Sequence, residues 1–170
     1  MKYTRNLLYL LICLLISACT TMRTAGPTPP SNTLLVSTTE TASPNACPLT
    51  EPAWAKPPED SAVQDPPEYG YYFINVDSSI WTSAWWTKQD EDYLRAGEDI
   101  KVGWFRPAGA TLEVTGQRLD GEAPPLEFHA PCCYPTRFQA SGLGFPTPGC
   151  WEVTARAEDR KLSFVVWVEP

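Results

Sequence analysis

Apolar and polar positions alternate most regularly near the C-terminal end. Trp151, Val153, Ala155 and Ala157 interleave with Glu152, Thr154, Arg156 and Glu158, the period-two signature of a half-buried β-strand. A polar turn at Asp159-Arg160-Lys161 then leads to Leu162, Phe164, Val166 and Val168 on one face. Val165 and Trp167 make the other face of that strand apolar as well, so it is expected to be covered on both sides or to meet a partner. Upstream, Tyr69 to Val76 is aromatic and β-branched enough for a strand. Ile80 to Trp86 gives another, with Trp81, Ser83 and Trp85 on one face and Ile80, Thr82, Ala84 and Trp86 on the other. Further strands are predicted at Ile100–Phe105, Thr111–Leu119, Leu126–His129 and Thr136–Ala140, and an exposed loop at Lys88–Gly97. Arg106-Pro107-Ala108-Gly109 and Asp120-Gly121 to Pro125 supply turns between them. Leu119 breaks the parity of Leu112 and Val114, which places a bulge at Gly116.

No stretch carries a 3.6-residue apolar repeat, so the reading is all-β. About seven short strands in roughly 100 residues favour an immunoglobulin-like antiparallel β-sandwich over residues 68–170. Residues 144–154, Gly-Phe-Pro-Thr-Pro-Gly-Cys-Trp-Glu-Val-Thr, resemble the entry to the penultimate strand of bacterial immunoglobulin-like domains, with Trp151 where a tyrosine is usual. The chain as a whole is similar to uncharacterised bacterial lipoproteins with a Cys-Cys-Tyr-Pro-Thr-Arg-Phe segment.

The pattern at the other end is different. Lys2 and Arg5 precede an apolar run from Leu7 to Ile16, and Ile16-Ser17-Ala18-Cys19 closes it. This order is that of an export signal, and the run is shorter than the roughly 20 residues a spanning helix requires. Its ending resembles the bacterial lipobox. That resemblance implies removal of residues 1–18, a diacylglycerol on Cys19, and a palmitate-bearing protein on the outer face of the cell membrane or on the outer membrane. From Thr20 to Pro67 the chain holds ten of its eighteen prolines and little aromatic content besides Trp54. Such a segment cannot bury enough apolar surface to offset its ordering entropy. Residues 19–46 are therefore expected to be a disordered Thr/Pro-rich stalk, and residues 47–67 a proline-rich segment packed on the domain.

Composition narrows the partners. The formal charge is −7, and loss of Lys2 and Arg5 with the leader makes it −9. Nucleic acid, which demands a basic footprint, is excluded, and anionic headgroups are poor partners. The expected partners are the membrane, through the lipid, and another envelope protein or a glycan. Of the six cysteines, Cys47, Cys132, Cys133 and Cys150 remain for disulfides in an exported chain. Adjacent cysteines are poor partners for each other. Cys150 is expected to bond Cys132 or Cys133, and Cys47 the other.

Catalytic chemistry finds little purchase. His129 with Cys132, Cys133 and Cys150 could supply zinc or copper ligands, or a cysteine nucleophile with an imidazole base, but outside the cytoplasm those thiols are expected to be oxidised. Asp90, Glu91 and Asp92 read as a solvated loop rather than a glycosidase pair, and Arg106, Arg118 and Arg137 as partners of surface carboxylates. No cofactor, metal or catalytic residue is expected. The primary expectation is a non-catalytic structural or protein-interaction role. The alternative is a carbohydrate-binding module, in which indole faces of Trp81, Trp85 or Trp86 stack on sugar rings. Coplanar exposed tryptophans would favour it, and tryptophans buried under residues 48–67 would remove it.

Overall fold

The computed structural model describes residues 43–61, 63, 66–87, 93–131 and 134–170. Cys19 and residues 1–42, the acidic run at 90–92, and the pair Cys132-Cys133 lie outside the described residues. Among the described residues nine strands form, all paired antiparallel: β1 (Ala53–Ala55), β2 (Gly70–Ile74), β3 (Trp81–Ser83), β4 (Asp99–Phe105), β5 (Leu112–Arg118), β6 (Glu127–His129), β7 (Phe138–Gly144), β8 (Gly149–Ala157) and β9 (Arg160–Val168). They make a six-stranded sheet, β1-β2-β3-β4-β7-β6, and a three-stranded sheet, β5-β8-β9. Without β1 and β2 the orders are β3-β4-β7-β6 and β5-β8-β9, four strands over three. This is the connectivity of the two sheets of an immunoglobulin constant-type sandwich.

The alternating pattern decides which face meets the core. Trp151, Val153, Ala155 and Ala157 of β8 and Leu162, Phe164, Val166 and Val168 of β9 are all buried, in one core with Val102, Trp104 and Leu143 of the larger sheet and Ile80 just before β3. Phe73 and Phe164 stack across the gap with ring centroids 4.4 Å apart. Trp151 also fixes the entry to β8. Its indole N–H donates to the Thr147 carbonyl at 2.9 Å, the back-reaching bond that the corner tyrosine makes in immunoglobulin sandwiches.

Several boundaries differ from expectation, for local reasons. The last hairpin turns on Glu158-Asp159, since Ala157 pairs with Arg160 and Glu158 takes the positive φ of 55° that a two-residue turn requires. The bulge predicted at Gly116 does not form: pairing of β5 with β8 is unbroken from Leu112–Ala157 to Arg118–Trp151. Leu119 simply follows the strand outward and is exposed. The glycine is there for space, because a Cβ on Gly116 would lie 2.8 Å from Leu126 Cβ. Within the loop expected to be exposed, Leu94 is buried, and its carbonyl accepts the Glu169 N–H at the end of β9.

The strand that is apolar on both faces is covered, as its composition demanded. Residues 44–52 form a strap against β9. The Thr50 N–H donates to the Val165 carbonyl at 3.0 Å, and the Val165 N–H donates to Thr50 Oγ1 at 2.8 Å. At its start the strap is bonded covalently to β8 by a Cys47–Cys150 disulfide, with Cα atoms 5.5 Å apart. The pairing expected for Cys150, with Cys132 or Cys133, is thereby corrected. Cys150 has the parity of Glu152 and Thr154, so it points out of the three-stranded sheet toward the strap.

Candidate functional site

Trp81, Trp85 and Trp86 do not form a platform. The strand containing Trp81 ends at Ser83, and Trp85–Thr87 form a single 3-10 turn, yet the alternation of faces continues through it. Trp86 turns inward, is buried, and its ring lies 6.4 Å from that of Phe73. Strap residues Leu49, Thr50, Glu51 and Pro52 share with Trp86 the lining of a cavity of about 200 Å³. Trp85 turns outward, its plane at 84° to that of Trp86, and its indole N–H donates to the Lys101 carbonyl at 3.2 Å. Trp81 is half-buried on the outer face of the six-stranded sheet, beside Tyr72 and Phe105, and donates to the Ser78 carbonyl at 2.9 Å. The proline-rich segment is tied to this outer face by the Asp60–Arg137 ion pair at 2.8 Å. Trp86 thus faces away from Trp85 and into the core, and the coplanar exposed set of three indoles that would favour the carbohydrate reading is not formed.

The cysteine and histidine constellation also separates. Cys150 is spent in its disulfide, on a different sheet from His129, and cannot join a four-ligand set with it. His129 sits on the outer face of β6 with Nδ1 3.7 Å from Asp99 Oδ1, both side chains more than half exposed. They border an open cleft of about 740 Å³ with Lys101, Tyr134, Ser141 and Gly142. Among the described residues, no group of three or more His, Cys, Asp and Glu could hold a metal ion.

The three arginines divide. Arg118 pairs with Asp120 at 2.7 Å and Arg137 with Asp60, as expected of surface cations. Asp120 also accepts the Cys150 N–H at 3.1 Å. Burial pushes its carboxyl up, but the bonds from Arg118 and from the Cys150 N–H outweigh that and hold it below its ordinary value. Arg106 corrects the expectation of a surface ion pair. It is 2% exposed, and its guanidinium donates to Gln139 Oε1 at 2.7 Å and to the carbonyls of Pro107 and Tyr134 at 2.8 and 3.0 Å. Burial lowers its pKa, and its side-chain hydrogen-bond acceptors among the described residues are all neutral.

Trp54, the tryptophan outside the strand-rich region, was missed as a functional candidate. Its run Ala53-Trp54-Ala55 lies between Pro52 and Pro57 and forms the edge strand β1, where Trp54 pairs directly with Tyr71. Trp54 is 60% exposed and Tyr69 is 49% exposed. Their rings are nearly parallel, at 14° with centroids 6.0 Å apart, and Tyr71 props Trp54 from 4.6 Å. The signal in the sequence was an aromatic-alanine run fenced by prolines, the mark of a short protected edge strand.

No protein-family profile and no curated protein matches this chain. Among solved structures, it is similar to the crystal structure of "a Putative Lipoprotein from Bacillus anthracis". The sequences are 14% identical, the match covers 69% of this chain and 87% of that one, and the TM-score is 0.40.

Proposed function

We propose that this protein is a lipid-anchored component of a bacterial cell envelope, held through Cys19, with a non-catalytic structural or protein-interaction role. The observation that carries the reading is the strap. The chain arriving from the N-terminal side is joined to the domain by the Cys47–Cys150 disulfide and by the Thr50–Val165 pair, so a pull on it reaches the central strand of a sheet instead of peeling an edge. A buried disulfide also fits an oxidising compartment outside the cytoplasm. The non-catalytic part rests on how the buried polar groups are used. Arg106 and Gln139 hold one another and neighbouring backbone, and Trp104 donates to Ser141 Oγ at 2.8 Å, so these groups serve packing.

Metabolic labelling with an alkyne fatty acid, followed by fractionation, tests the anchor. The wild-type chain should take up label and sediment with membranes, and Cys19→Ser should lose both. A Cys19→Ser chain that is still labelled, or a wild-type chain that is unlabelled and soluble, would overturn the reading.

A further inference from the structure

The face of the six-stranded sheet that carries Phe73 runs from core to solvent along two strands. Phe73 is buried on Phe164, Tyr71 is half-buried, and Trp54, opposite Tyr71 on β1, is mostly exposed. This sheet has six strands and its partner three, so β1 overhangs the sandwich. Nothing in the core requires a tryptophan there.

We propose that Trp54 and Tyr69 form a stacking ledge for an uncharged saccharide. Sugar rings present a face of C–H groups whose slight positive polarisation matches the negative face of an indole or phenol ring, and their hydroxyls point sideways to a polar rim. The ledge has both parts. The two rings stack nearly parallel, with Tyr71 behind Trp54; Trp54 is fixed on β1 by its pairing with β2 and Tyr69 directly precedes β2, so little side-chain entropy remains to be lost on binding. At the rim stand the Lys56–Glu59 ion pair, at 2.9 Å, and Glu68, which bears electrostatically on Lys56 together with Tyr69.

Size and charge select the occupant. An aromatic side chain presents about 150–250 Å², so rings exposed to 60% and 49% offer roughly 200 Å² together. That is far below the about 800 Å² per partner of a stable protein interface, and it suits one or two sugar units. A chain of formal net charge −7 repels polyanionic glycans and acidic headgroups, which leaves neutral ones. This inference stands apart from the anchor at Cys19: either can fail without the other.

The test uses the full chain in a detergent free of sugar headgroups, titrated with cellopentaose, chitopentaose and mannopentaose. Tryptophan fluorescence and saturation-transfer NMR provide the readouts. At least one oligosaccharide should bind. Trp54→Ala should weaken it about tenfold or more, Tyr69→Ala should weaken it less, and Trp85→Ala should leave it unchanged, with the thermal midpoint of Trp54→Ala close to wild type. Trp54→Phe should retain most of the affinity, and salt should have little effect because the ligand is neutral. The proposal is overturned if none of the three sugars binds, if Trp54→Ala binds as well as wild type, or if only phosphatidylcholine vesicles shift the Trp54 emission.

Discussion

At the scale of single residues, Arg106 is the buried charge among the described residues, 2% exposed. Its position directly after β4, where the Arg106 N–H donates to the Arg137 carbonyl at 3.0 Å, turns the guanidinium back under the segment that follows Cys132-Cys133. There it satisfies the Tyr134 and Pro107 carbonyls and orients Gln139. Arginine is required because only its fork supplies donors in several directions at once, from a charge that burial does not remove. Arg106→Ala would leave the buried Gln139 acceptor and the part-buried carbonyls of Pro107 and Tyr134 without their donor, at about 1–3 kcal/mol each, so the expected loss is about 3–5 kcal/mol. Arg106→Lys supplies one flexible ammonium and should recover less than half of it. Urea denaturation of the two variants checks this. A loss below about 1 kcal/mol for Arg106→Ala would mean that water replaces the guanidinium without penalty.

Individual strands were legible in the sequence wherever one face is apolar and the other polar. In β8 and β9 the alternation alone assigned nearly every side chain, because two faces in different solvents leave a period of two no freedom. The same rule oriented Ile80 to Trp86 correctly although the strand stops at Ser83. What could not be read was anything that depends on a neighbour remote in the chain. The run of Trp81, Trp85 and Trp86 suggested a ledge, but the acceptors at Ser78 and Lys101 and the strap over Trp86 come from tertiary placement. Trp54 looked like part of a featureless segment because β1 is three residues long and exists only by pairing with β2. Gly116 shows the limit most sharply. A glycine within a strand signals a bulge or a close approach, and only the position of Leu126 chooses between them. Gly116→Ala should therefore cost about 1–3 kcal/mol by overpacking, and Leu126→Ala made with it should cost less than the sum of the two single changes. A strictly additive double-mutant cycle would show that Gly116 is selected for something other than the contact with Leu126.

For the whole molecule, the decisive covalent feature among the described residues is where the Cys47–Cys150 disulfide closes its loop. Cys47 and Cys150 are 103 residues apart, so the bond encloses every strand from β1 to β7 and leaves outside it only β9, most of β8 and the N-terminal approach. In the chain-entropy account a loop of this length contributes about 4–5 kcal/mol by restricting the unfolded chain. The native side adds more, because the bond holds the strap on the edge of β9. Removing both cysteines together, as Cys47→Ser with Cys150→Ser, avoids leaving a free thiol for exchange with Cys132 or Cys133. That variant should melt about 10–20 °C lower. Its Val165 amide should exchange with solvent faster than amides such as Val153 in the centre of the sheet, because without the bond nothing covalent returns Thr50 to its partner. Thr50→Ala, which removes one hydrogen bond and keeps the covalent closure, should lower stability by only about 1 kcal/mol. If the two variants lose the same stability, the strap is held by its local contacts and the disulfide is incidental. If the cysteine variant loses far more, the N-terminal approach is fixed to the central strand of the smaller sheet by the bond itself, as a protein loaded through its N-terminus would need.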